Sequence, residues 1–113
     1  MEINRILLQS NLDRMTKEFK DLQSLAGRHA TSDSLKLSAL VDRRLSQLEL
    51  TRELLAAAGI PGGAVEPADL QHAYRRLKLE LRFARRRWNR ILSNEARFRK
   101  IQARKIHVQS FAA

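Results

Sequence analysis

The chain has 113 residues, 43% of them apolar, with no cysteine and a formal net charge of +10. That length supports one small domain around one core, and the lack of cysteine excludes disulfides and thiolate metal sites while being compatible with a reducing compartment. The apolar run Ile6 to Leu8 is too short for a secretory leader, and no stretch reaches the roughly eighteen apolar residues of a membrane span, so a soluble, cytoplasmic protein is expected.

The first expected element covers about 3–26, where Leu8, Leu12, Met15, Phe19, Leu22 and Ala26 recur by four and three and so fall on one helical face. Its other face mixes Asp13, Arg14, Lys17, Glu18, Lys20 and Asp21, an ordinary solvated surface. Gly27 is read as the stop, with a polar connection from Arg28 to Ser34. Ser32 or Asp33 is expected to cap a second helix over about 33–58, whose stripe is Leu37, Leu40, Val41, Leu45, Leu48, Leu54 and Leu55, interrupted by Thr51 and Arg52.

Gly59-Ile60-Pro61-Gly62-Gly63 terminates that helix, and a linker over 59–66 follows. Pro67 suits a first helical position, and Asp69 puts negative charge in the first turn, where the helix dipole favours it. The third helix is expected over about 67–106. Leu70, Tyr74, Leu77, Leu81, Ala84, Trp88 and Ile91 form its seam, which falters at Ser93-Asn94-Glu95, where the helix bends, breaks or leaves the core as an exposed arm. Phe98, Ile101 and Val108 then mark a weaker, rotated stripe, and 107–113 is expected to fray unless it docks on a partner.

These elements predict an all-α three-helix bundle, because each apolar stripe needs another helix to cover it. A third helix reaching Lys105 would be about 58 Å long against about 36 Å for the others. Part of it must project or pack on another subunit, so a homodimer or a larger assembly is one expectation.

Catalytic and metal chemistry find little support. His29, His72 and His107 are far apart in sequence, and Asp69 with His72 is the one pair at ligand-like spacing, so no metal or cofactor is expected. Glu49 and Glu53 lie one turn apart but read as an exposed face. No serine sits in a nucleophile elbow, and Gly59 to Gly63 lacks the lysine and hydroxyl of a phosphate-binding loop; a non-enzyme is expected. The segment Asp69-Leu70-Gln71-His72-Ala73-Tyr74-Arg75-Arg76-Leu77 resembles the second helix of J-domain co-chaperones. That family works through a His-Pro-Asp tripeptide just after this helix. Here Leu79-Glu80-Leu81-Arg82 follows, so the resemblance implies no co-chaperone activity.

What remains is charge. Residues 1–60 hold nine basic and eight acidic residues, whereas 61–113 hold thirteen and four. Such asymmetry calls for a polyanion or an acidic partner. Arg75, Arg76, Arg82, Arg85, Arg86, Arg87, Arg90, Arg97, Arg99, Lys100 and Arg104 are the candidate nucleic-acid-binding residues, because Lys/Arg that neutralise phosphates release condensed counterions. Phe83, off the seam among arginines, is a candidate for stacking on a base; the competing reading is that Leu79 and Phe83 widen the buried stripe.

The sequence thus predicts a DNA- or RNA-binding protein, phosphate-led and weakly sequence-selective. The alternative is a helical adaptor or chaperone whose long third helix docks an acidic or amphipathic protein. A membrane partner is disfavoured, since the bundle uses up the apolar seam.

Overall fold

A computed structural model describes the backbone of residues 5–58 and 67–112, with side chains for 5–58 and 68–105. It contains three helices: α1 (Arg5–His29), α2 (Ser32–Ala57) and α3 (Pro67–Ala112). The expected linker over 59–66, with its Gly/Pro break, lies outside the described residues.

The first two helices form an antiparallel hairpin. Arg5 Nη2 donates to the Ala58 carbonyl at one end, Arg52 meets Asp13 along the length, and Gln23 donates to Asp42 near the other end. The third returns parallel to α1, since Glu18 pairs with Arg85 and His29 with Glu95.

Periodicity dictates what is buried. The six predicted positions of α1 from Leu8 to Ala26 are all buried, together with Leu37, Val41, Leu48 and Leu55 of α2 and Leu70, Leu77, Leu81 and Ala84 of α3. Leu40, Leu45, Tyr74, Trp88 and Ile91 pack around this core. Phe19, Leu12, Leu37, Leu48 and Leu70 are fully enclosed; truncating one such residue removes its transfer free energy and leaves a cavity, together about 2–5 kcal/mol.

Two features of α2 that looked like interruptions join the helices. Thr51 is buried with its hydroxyl donating to the Gln47 carbonyl at 2.9 Å, so no polar group is stranded. Arg52 reaches across to Asp13 Oδ1 at 2.6 Å and Thr16 Oγ1 at 3.0 Å.

The hairpin turn differs from the sequence expectation. Gly27 does not end α1, which runs on to His29, and the left-handed residue is Ala30 at φ 57°. Gly permits a stop without compelling one. Continuing two residues further brings the His29 ring edge-on to Trp88, with centroids 5.4 Å apart, and its Nε2 against Glu95 Oε2. The residues outside the two helices are therefore Ala30 and Thr31 alone, in place of a connection from Arg28 to Ser34.

The cap is likewise neither Ser32 nor Asp33. Thr31 occupies that position in a capping box: Ser34 N donates to Thr31 Oγ1 at 3.2 Å, and Thr31 N donates to Ser34 Oγ at 2.9 Å. Ser34 can reciprocate because it is fully buried beneath the turn, whereas Asp33 falls in the first turn of α2.

The third helix neither breaks nor ends at Ser93-Asn94-Glu95; it is helical through these residues to Ala112. Glu95 lies level with the hairpin turn and, among the described residues, is the last with a side-chain contact to the hairpin. Residues 96–105 are all exposed. At 1.5 Å per residue α3 is about 69 Å long, of which residues 96–112 contribute about 25 Å. The resulting molecule measures 79 × 22 × 17 Å with a radius of gyration of 20.5 Å. A compact chain of this length would have a radius of about 13 Å, so the departure is the projecting arm. Among the described residues, no helix is long and apolar enough to cross a membrane.

Candidate functional site

The candidate site is the outer surface of α3. Pro67 opens the helix with no amide to satisfy, Asp69 complements the dipole, and the seam locks the first part of the helix against the hairpin. The arginines occupy positions off that seam and face outward. Arg75, Arg76, Arg82, Arg85, Arg86, Arg87, Arg90, Arg97, Arg99, Lys100 and Arg104 are all exposed.

Whether these cations are free depends on the carboxylates. Arg85 Nη2 lies 2.6 Å from Glu18 of α1, and Arg99 Nη2 lies 2.8 Å from Glu95 one turn earlier. Both are compensated. Arg75, Arg76, Arg82, Arg86, Arg87, Arg90, Arg97, Lys100 and Arg104 make no ion pair with any described residue, and neither do Lys78 and Lys105.

Several of the acids are held by other partners, whereas Asp33, in a groove with Arg86, Arg87 and Arg90, makes no ion pair with a described residue. Asp13 holds Arg52, Glu80 lies 3.2 Å from Arg44 Nε, and Glu95 is shared between His29 and Arg99. Asp42 accepts from Gln23, while Glu49 and Glu53 are exposed on α2.

Because α3 is continuous, Arg76, Phe83, Arg90, Arg97 and Arg104 recur every seventh position and share one stripe, running from the bundle onto the arm. Phe83 is 51% exposed and Leu79 47%, so neither widens the buried stripe as the competing reading proposed.

Two grooves flank α3. The one against α1, of about 470 Å³, is lined by residues including Arg14, Glu18, Tyr74, Lys78, Arg82 and Arg85, and contains the Glu18–Arg85 pair. The one against the start of α2, of about 540 Å³, is lined by Phe83, Ile91, Arg86, Arg87, Arg90, Asn94 and Asp33. Asp33, Ile91 and Asn94 were not among the candidate binding residues; the sequence offered them as a cap, a seam position and the point where the seam falters. No local signal places Asp33 in a groove, because only the packing of α2 on α3 brings it there.

Among the described residues no group of three His, Asp or Glu side chains converges as metal ligands would. Comparison with protein-family models, with curated proteins and with solved structures finds no match for this chain.

Proposed function

We propose that this chain is a non-enzymatic nucleic-acid-binding protein in which the hairpin braces α3 and α3 presents an uncompensated cationic surface to the phosphate backbone. The observation that carries the reading is the set of α3 cations without carboxylate partners, nine of the eleven sequence-selected residues. A straight helix offering arginine at successive turns neutralises phosphates without reading base edges, so weak sequence selectivity follows. The test is binding of a mixed-sequence oligonucleotide as salt is raised from about 50 to about 200 mM. Four phosphate contacts would lower the association constant about 10²-fold over that range. A constant that hardly moves, or no binding at low salt, would remove the reading.

One observation favours a second reading. On the projecting arm Phe98 is 59% and Ile101 46% exposed, one turn apart and flanked by Arg97, Arg99, Lys100 and Arg104. An apolar pair framed by cations suits an acidic amphipathic helix of a partner protein, as in a helical adaptor or chaperone. Size-exclusion chromatography with light scattering, before and after nuclease treatment, separates the two. Nucleic acid that co-purifies supports the first, and a nucleic-acid-free protein complex covering Phe98 and Ile101 supports the second.

A further inference from the structure

We infer that the groove between the start of α2 and α3 takes an unpaired base, making single-stranded nucleic acid the preferred ligand; the inference rests on the nucleic-acid reading above. The groove joins features that a phosphate site alone would not need. Phe83 presents half its surface to solvent, and Ile91 adds a second apolar wall. A π face beside an aliphatic wall accepts any base by stacking.

The polar lining then offers partners to both parts of a nucleotide. Asp33 lines the groove beside Arg86, Arg87 and Arg90 and forms no ion pair with a described residue, so its carboxylate is open to a ligand. It accepts from base amino groups, while the Asn94 amide offers both a donor and an acceptor. Arg86, Arg87 and Arg90, exposed along the same groove, are left for the phosphates on either side of that base. A base against Phe83 with its phosphates on the arginines is the arrangement these groups satisfy together. A duplex keeps its bases stacked and paired, so it can use the arginines but leaves Phe83 facing water.

The test uses the full chain and labelled homopolymer strands, as DNA and as RNA, beside a duplex of equal length at the same low salt. Single strands are expected to bind more tightly than the duplex, and the DNA–RNA pair assigns any contact to the 2′-hydroxyl. Phe83→Leu keeps an apolar side chain but removes the π face, and is expected to lower single-strand affinity about tenfold while duplex affinity stays level. Phe83→Tyr is expected to preserve it. Circular dichroism reports on folding, which a half-exposed side chain leaves intact.

Equal binding of strand and duplex, or a single-strand preference that survives Phe83→Leu, overturns the base site and leaves phosphate-led binding standing. Absence of binding to either form at low salt removes both.

Discussion

The hairpin and the third helix are built from the same alphabet to opposite ends. In α1 and α2 cations and acids are nearly equal in number, and the contacts cross between elements: Asp13 with Arg52, Gln23 with Asp42, Arg5 with the Ala58 carbonyl. In α3 the seam does the packing, and most of the charge answers to nothing in the described molecule. The lesson is a division of labour. Stability resides where apolar side chains meet, and the charged surface of α3 can vary without disturbing it. If that division is right, each region should respond to perturbation in only one of two measurements, binding or unfolding.

The largest effect should come from replacing Arg82, Arg86, Arg87 and Arg90 together by Gln. Oligonucleotide affinity at low salt is expected to fall about 10²-fold or more, and the log–log salt slope to flatten by about 3 to 4. The unfolding midpoint should hold steady or rise, because these cations repel one another and make no described ion pair. A collapse of the fold would mean that they pair internally after all, and the comparison would fail.

Two phenylalanines sharpen the contrast. Phe19→Ala, in the enclosed core, should lose about 3–5 kcal/mol in urea unfolding, whereas Phe98→Ala on the arm should stay within about 0.5 kcal/mol. Equal losses would show the arm to be packed in solution.

Smaller again, Thr31→Ala removes the capping box that starts α2 and should destabilise by about 1 kcal/mol, with binding untouched. Asp13→Ala breaks a partly exposed cross-hairpin pair and should cost at most about 1 kcal/mol, an effect that shrinks as salt is added. A salt-independent loss would point to the Arg52 contact with Thr16 instead.

Much of this was legible before any coordinates. The seams of α1 and α3, most of that of α2, the launch of α3 at Pro67 and the concentration of charge late in the chain depend on local spacing and counting, and a helix converts spacing directly into faces; on α2 the expectation missed that Leu54 is exposed and Thr51 buried. Other features were not legible, because they depend on what a neighbouring element offers. Gly27 looked like a stop, yet α1 continues because His29 finds Trp88 and Glu95 on a helix far along the sequence. Thr31 took the cap from Ser32 and Asp33 because Ser34 is buried there to reciprocate.

By itself, then, the sequence determined that three amphipathic helices would form and that the last would be cationic. Only tertiary structure decided that Phe83 faces solvent, that Glu18 and Glu95 quench two arginines while the others make no described ion pair, and that Asp33 stands in the groove beside Arg86, Arg87 and Arg90. The physical reason is that periodicity fixes which residues share a face, whereas the rotation and reach of the partner helix fix where that face ends.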